Sequence, residues 1–325
     1  MSASTTVDRA CWCGAMTART VGTFESGHAL VQCDGCSVQA LHPQPGDVEL
    51  AAAYSREYYG TPPQKFVAPI AAMVGLFQSA RARGIVRLVG HKRAARVLDV
   101  GCGNGGFLMK MRRRGLEVEG TEWTADAAAR IPRDASIPIH VGDLVEMNLP
   151  PQSFDAVTLW HVLEHLRRPR ETLAKIHSIL RPGGLLLMSM PNAESAQARR
   201  YGTHWFHHDP PRHMFGFGPH SISLLLEDSG FRVTDLSTWS FEHNPFGEIQ
   251  SRLNERRFRR DRLYNQLKGL SCEKLGTRMA DLARACLSLP SAIARDVIDS
   301  ARHEGATMTV HARRIDIGRG TAGAG

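Results

Sequence analysis

Residues 99–106 read Asp99-Val100-Gly101-Cys102-Gly103-Asn104-Gly105-Gly106, and what lies on either side of this stretch decides the fold. Ahead of it, residues 97–100 form a short β-rich run. Behind it, Phe107, Leu108 and Met111 share one face of a helix that Gly115 stops. Glycines at 101, 103 and 105 let a strand turn sharply into a helix and let backbone approach a ligand closely, at the carboxyl end of a strand where open α/β sheets bind cofactors. Further outward the alternation repeats, with strands predicted at 116–121, 137–141, 154–160 and 185–190 between helical stretches. This is the pattern of a doubly wound α/β sheet.

Acidic residues punctuate the strand ends. The second strand runs into Glu122, 23 residues after Asp99, where a carboxylate can accept hydrogen bonds from ribose hydroxyls. The third runs into Gly142-Asp143-Leu144, where Asp143 can accept from an adenine amino group. These features alone would also suit NAD. The fourth strand opens with Phe154-Asp155 and ends at Trp160, followed by His161-Val162-Leu163-Glu164-His165, and Leu180-Arg181-Pro182-Gly183-Gly184 precedes the fifth.

As an ensemble these motifs resemble the class I S-adenosylmethionine-dependent methyltransferases, whose first motif is D-x-G-x-G-x-G, here Asp99, Gly101, Gly103 and Gly105. Members often carry H-x-L-E-H after the fourth strand and L-x-P-G-G before the fifth. The resemblance covers roughly residues 96–240, and Pro211-Arg212-His213 with Gly230-Phe231 fits a P-x-H loop, a helix and a sixth strand. It implies S-adenosyl-L-methionine as cofactor, held by Asp99, Gly101, Cys102, Gly103, Gly105, Glu122, Asp143, Leu144 and Trp160. It also implies a Rossmann-like doubly wound seven-stranded sheet with residues 306–312 as last strand, and hence the fold class α/β with a small N-terminal zinc module and a helical insertion before that strand.

Four of the seven cysteines fall in the first 36 residues: Cys11 and Cys13 as C-x-C, Cys33 and Cys36 as C-x-x-C. Tight turns at Gly14 and Gly35 fold each pair to one side, and four thiolates satisfy tetrahedral zinc with no open position, so a structural Zn²⁺ is expected rather than a catalytic one. Between the pairs, residues 22–32 read as a short hairpin with few apolar residues, too small a core to fold without a metal. The cluster followed by Tyr54, Tyr58 and Tyr59 is similar to the front of bacterial sugar and secondary-metabolite methyltransferases, some of them sugar C-methyltransferases; those carry a further C-terminal domain for which this chain has no room.

Methyl transfer from a sulfonium needs an aligned acceptor and, for a hydroxyl, a base. His161, Glu164 and His165 follow the fourth strand beside the expected sulfonium, and residues 204–213 place His204, His207, His208 and His213 in one loop. His161, His165 and His213 are the catalytic candidates, and Arg212 is a candidate partner for an acceptor phosphate or carboxylate. The loop as a whole is open to catalytic, structural or metal-binding readings.

The expected organisation is a zinc module at 1–45, a helical linker or lid at 46–95, the methyltransferase core at 96–243, a helical insertion at 244–304, the last strand at 305–316 and a disordered tail at 317–325. Residues 251–270 combine six arginines with leucines at helical spacing. A solvated face is the ordinary outcome for such a helix; the alternative is a membrane surface engaged through it, which would make a cytoplasmic protein peripheral to the inner face of the membrane. The net charge of +8 is spread along the chain, 34 Arg and 6 Lys, without an RNA-binding signature, so nucleic acid is not an expected partner. The expected function is methyl transfer to a small-molecule acceptor, a sugar, secondary-metabolite or lipid-linked intermediate, at a hydroxyl with His as base. The alternative is a nucleic-acid or protein methyltransferase that grips its macromolecule through the zinc module.

Overall fold

The computed structural model of the protein describes residues 4–6, 11–54, 68–90, 94–132, 136–256, 260–270 and 273–316. Tyr58, Tyr59 and the tail beyond residue 316 lie outside them. The chain begins with the strands β1 (Ser4–Thr6), β2 (Thr17–Thr23), β3 (Ala29–Cys33) and β4 (Gln39–His42), paired in that order and antiparallel throughout. Phe24, Leu30 and Leu41 are the small apolar cluster of this sheet. Helices α1 (Asp47–Ala53) and α2 (Ala68–Leu88) lead to the main sheet.

That sheet is built from β5 (Arg96–Val100), α3 (Gly106–Arg112), β6 (Glu117–Glu122), α4 (Ala125–Ala128), β7 (Ile139–Val141), β8 (Phe154–Trp160), α5 (Pro169–Ile179) and β9 (Leu180–Pro191). α6 (Ala196–Tyr201), β10 (Phe215–Gly216), α7 (Pro219–Asp228), β11 (Phe231–Ser237), α8 (Asn244–Glu255), α9 (Arg262–Leu267), α10 (Leu275–Ala301) and β12 (Thr307–Arg314) follow. The order across the seven strands is β11-β12-β9-β8-β5-β6-β7. Six strands run in one direction, five of them paired directly with one another, and β12 inserts antiparallel between β9 and β11.

Val97, Leu98, Ala156, Val157, Leu185 and Leu186 are buried alike on the central strands, because helices cover both faces of a parallel sheet and leave no solvated side to alternate with. This is the Rossmann-like α/β sheet read from the sequence, with strand ends displaced by a few residues. The largest displacement is at β9, which starts at Leu180: the Pro-Gly-Gly stretch expected to precede the strand lies inside its beginning, with Pro182 and Gly183 exposed.

Two arrangements were not legible beforehand. The short β10 pairs with β4, Phe215 opposite Ala40 and Gly216 opposite Gln39, so a segment of the large domain completes the N-terminal sheet. The expected single basic helix over 251–270 is two helices, α8 and α9, with Asp261 in the left-handed region between them. Three of its described arginines are engaged within the protein. Arg252 pairs with Glu248, Arg262 with Asp281, and Arg260 donates to the carbonyl oxygen of Thr203 at 2.9 Å. Ser251 and Leu253 are buried and Arg256 is exposed. Among the described residues, no helix is long and apolar enough to cross a membrane.

Phe231 opens β11 fully buried, its ring edge-on to His177 with centroids 5.5 Å apart. Phe231→Ala is expected to lower the free energy of unfolding by about 3–5 kcal/mol, measured by denaturant titration, because the site is hemmed in by sheet and cannot collapse.

Candidate active site

The turn after β5 is a left-handed glycine cradle. Gly101, Gly103 and Gly105 take φ of 68°, 61° and 71°, a region that L side chains rarely adopt. Their surroundings differ. A Cβ on Gly101 would stand 2.7 Å from Val162 Cγ2 and one on Gly105 2.9 Å from Ile131 Cγ2, whereas at Gly103 nothing lies within 4 Å. Two of the glycines permit close packing, and the third faces open space.

Around this turn the acidic candidates have distinct settings. The Gly103 N–H donates to Glu122 Oε1, and the Trp123 N–H donates to Oε2 at 3.3 Å, fixing the Glu122 carboxylate at the end of β6. Burial raises its pKa. Asp99 is almost completely buried and accepts from Thr158 Oγ1 at 2.6 Å; burial lifts its carboxyl to about 7, despite that bond. Cys102 is buried with its Sγ against Gly120, where a Cβ would come within 2.6 Å, and burial raises its thiol.

Asp143 is tied down. It accepts from Arg168 at 2.6 Å and caps the next turn through Val145 N–H at 3.0 Å. Leu144 sends its side chain into the core beneath the sheet. Trp160, at the end of β8, packs edge-on against Phe107 with Arg81 4.9 Å from its ring centroid, and its indole Nε1 is buried without a hydrogen-bond partner among the described residues.

The turn after β8 gathers the histidines. His161 holds a φ of 55°, uncommon for a residue with a Cβ and a conformation that clusters at functional sites. Its N–H is anchored on the Ser189 carbonyl at 2.8 Å, its Nδ1 lies 3.4 Å from Glu164 Oε1, and its ring packs on His243 with centroids 4.5 Å apart. Its Nε2 is buried and has no hydrogen-bond partner among the described residues.

Glu164 is 1% exposed. Burial pushes its carboxyl up, but the His161 contact and the charges of His165 and His213 outweigh this and hold it at about 2. His165 Nδ1 lies 3.1 Å from the Arg212 carbonyl oxygen and 2.8 Å from Tyr54 Oη. A carbonyl only accepts, so Nδ1 carries the proton and the Nε2 lone pair is left. His213 is fixed in the same way, Nδ1 donating to the His207 carbonyl at 2.8 Å, and the two rings meet edge-on at 4.5 Å. One ring nitrogen of each and a Glu164 oxygen lie within 4.8 Å of one another, close enough for a three-ligand cation site.

Of the rest of the histidine loop, His207 stays beside these groups, its carbonyl taking the His213 bond and its ring within electrostatic reach of His161, His213 and Glu164, while His208 turns to the N-terminal sheet. His208 packs edge-on against Phe24 of the N-terminal sheet, and His207 lies against Gly247 of α8, where a Cβ would approach its Nε2 to 2.7 Å. Arg212, a candidate for binding an acceptor anion, is engaged: it grips Asp209 with two bonds of 2.8 and 2.6 Å and donates to the Ala53 carbonyl at 3.0 Å. His243 reaches the site from a segment whose sequence carries no motif, so no local signal could have found it; Tyr54 and Asp209 lie in stretches the sequence singles out, but nothing in those stretches gives either a role at the site.

At the N-terminus the four cysteines come together, their sulfurs all within 4.8 Å, with Cys11 and Cys36 3.5 Å apart and Cys13 and Cys33 3.6 Å apart. Contact with Cys36 is the main cause that lowers the Cys11 thiol to about 5. Trp12 between them stacks on Phe217 with centroids 5.9 Å apart, so the cluster sits on the large domain's core.

Residues 76–236 match the family described as a methyltransferase domain. A probable S-adenosylmethionine-dependent methyltransferase of Mycolicibacterium smegmatis is 32% identical over 159 residues, 46% of this chain and 58% of that protein. A ubiquinone biosynthesis O-methyltransferase of Xanthomonas campestris is 36% identical over 31% of this chain and 45% of its own length. The chain thus spans about half the length of these curated relatives. Among solved structures, a putative sarcosine dimethylglycine methyltransferase from Galdieria sulphuraria superposes with a TM-score of 0.51 at 13% identity, over 79% of this chain and 92% of that one, a likeness of fold.

Burial holds His165, His207 and His208 each at about 3, with nearby positive charge adding to it. An unfolded histidine takes up its proton near 6.5, so between pH 6.5 and 3 the unfolded chain binds protons that the folded one refuses, and stability falls as pH drops. Asp99 works in the opposite sense, costing stability as pH rises from about 4 to 7, and the raised carboxyls of Glu122, Glu194, Asp261 and Asp296 act with it, while the lowered carboxyl of Glu164 acts with the three histidines, whose shifts are large. The thermal midpoint is expected to fall steadily from pH 6.5 to 4.5, and His208→Gln to flatten that slope; a midpoint constant over this range contradicts the burial of neutral imidazoles.

Proposed function

The chain carries a class I S-adenosylmethionine-dependent methyltransferase domain, and from that premise we propose that it transfers a methyl group to a hydroxyl of a small-molecule acceptor, a sugar, secondary-metabolite or lipid-linked intermediate. The observation that carries the proposal is the contact of Gly101 with Val162, which seats the glycine cradle directly against the turn bearing His161 and Glu164. The names of O-methyltransferase relatives favour an oxygen acceptor.

The residues fit S-adenosyl-L-methionine. The open space at Gly103, the fixed carboxylate of Glu122 and the unsatisfied indole N–H of Trp160 suit a ligand with ribose hydroxyls and a polar amino-acid end. In this proposal Asp99, Gly101, Cys102 and Gly105 act by shaping the cradle, Asp143 presents what remains of its carboxylate to the adenine, and Leu144 contributes backbone alone. When bound, the cofactor supplies a methyl group already activated on a sulfonium.

What the protein must add is alignment, exclusion of water and a destination for the hydroxyl proton. His161 Nε2 receives that proton, while Nδ1 faces Glu164, whose buried carboxylate steadies the imidazolium that forms. His165 and His213 form the opposite wall, with their Nδ1 atoms anchored on backbone carbonyls and their Nε2 lone pairs turned to the acceptor.

Purified protein incubated with methyl-labelled S-adenosylmethionine and cell extract is expected to pass label to the small-molecule or lipid fraction. Label in protein or nucleic acid would replace this reading by the macromolecular one. Gly103→Arg is expected to abolish S-adenosylhomocysteine binding. His161→Gln should lower kcat by about 10²- to 10⁴-fold with cofactor affinity unchanged.

The cysteine cluster fits a structural zinc in this proposal. Tetrahedral ligands at about 2.3 Å place sulfurs about 3.8 Å apart, and the observed separations of 3.5 and 3.6 Å need only a small expansion. Metal analysis of purified protein is expected to find one zinc per chain, and Cys36→Ser to lose it with a lowered thermal midpoint. Protein that holds no zinc and melts unchanged after Cys36→Ser would remove the metal from this account.

A further inference from the structure

The longest helix of the molecule, α10, carries three acids and they all point inward: Asp281, Asp296 and Asp299 are 1%, 2% and 6% exposed. Its outward side is unlike that of an ordinary surface helix. At 3.6 residues per turn, a sector about 140° wide runs the length of the helix, about 40 Å, through Leu275, Met279, Leu287, Val297 and Ile298, and no polar side chain interrupts it. Leu275 is 72% and Leu287 83% exposed. A continuous apolar strip of this extent is far beyond the scattered exposed apolar residues of a soluble surface.

The margin of the strip is cationic. Arg284, Arg295 and Arg302 follow one another along one edge, the first two with side chains 43% and 47% exposed. Pairing does not cancel this charge. Arg295 shares Glu248 with Arg200 and Arg252, and Arg284 shares Asp281 with Arg262, so arginines outnumber the acids they meet. Glu304, just past the helix, is taken by Arg199.

At the C-terminal end of the strip the loop before α8 adds Trp239 and Phe241, each half-exposed, and it is bound to the helix by Asn244 Nδ2 on Asp296 Oδ1 at 2.8 Å and Ser300 Oγ on the Thr238 carbonyl at 3.3 Å. The same loop carries His243, which packs on His161.

We propose that this face of α10, with Trp239 and Phe241, docks on an anionic lipid bilayer, lying in its interface with the arginine margin on the headgroups. Apolar side chains on one face, aromatic residues at one end and an edge of cations without acids are the combination that holds a helix in the plane of an anionic interface. A second copy of the chain fits less well. Paired antiparallel, the two strips would bring their arginine edges side by side, where like charges oppose association. The docked bilayer and the candidate active site would share the 238–244 loop. The docking itself rests on no assumption about methyl transfer.

Co-sedimentation of the full chain with vesicles tests it. Binding is expected to phosphatidylcholine vesicles containing one quarter phosphatidylglycerol, weakening as salt rises and falling by about tenfold or more on pure phosphatidylcholine. Leu287→Glu, at a highly exposed position where folding is undisturbed, should reduce that binding by about tenfold at an unchanged thermal midpoint. Val48→Glu, a change of equal charge at another exposed site, should leave it intact. Failure to bind anionic vesicles, or binding indifferent to Leu287→Glu, overturns the proposal. So does a dimer in light scattering that Leu287→Glu dissociates, since the strip would then be an interface between copies.

Discussion

There is no room for a side chain at Gly101, and most of the site follows from that. The backbone there turns out of the central strand at a left-handed φ while Val162, from the turn after the neighbouring strand, fills the space a Cβ would need. Two loops that begin on adjacent parallel strands are thereby pressed together. One carries the cradle that faces open space at Gly103, and the other carries His161 and Glu164. Cofactor side and acceptor side share a wall, the geometry that a transfer between two bound molecules requires.

The second loop is held from outside the sheet as well. The Met214 N–H bonds the Glu164 carbonyl at 2.9 Å, and the Met214 carbonyl accepts from Leu41 N–H at 3.0 Å, so the N-terminal sheet is joined to the histidine turn through one residue. The pairing of β4 with β10 and the stacking of Trp12 on Phe217 extend the same seam. A small module with few apolar residues of its own gains a core by lending it to the large domain, and in return fixes the loop that presents His213. Arg212 and Asp209 close the arrangement by clamping that loop to the end of α1.

Electrostatics makes the arrangement stiff but dependent on its neighbours. Glu164 stays charged in a dry setting because the His161 contact and the neighbouring His165 and His213 outweigh its burial, while burial opposes protonation of His165. Glu248 plays a similar part for the helical insertion, with three arginines and the Tyr201 hydroxyl converging on a fully buried carboxylate. Both are buried charges that hold elements in register more than they add stability, since desolvation offsets much of the attraction.

The sequence by itself determined the local features. Apolar runs of β-branched and aliphatic residues specified strands, glycines with no tolerance for a Cβ marked the cradle, and paired cysteines marked a cluster, because each is a property of a few neighbouring residues. Strand ends slipped at Pro182, Gly183 and Gly184, which lie in an irregularity of register between Leu180, opposite Phe154, and Leu185, opposite Ala156 and Arg313, so that β9 begins before them. Only the tertiary structure decided which histidines meet. His161 and His243 are 82 positions apart in sequence, while His208, close to His213 along the loop, packs on Phe24 instead. It also decided the pairing of Arg252, Arg260 and Arg262 and the exposure of the strip on α10: whether a helical face meets protein or solvent depends on what the rest of the chain places against it, and no periodicity within the helix contains that information.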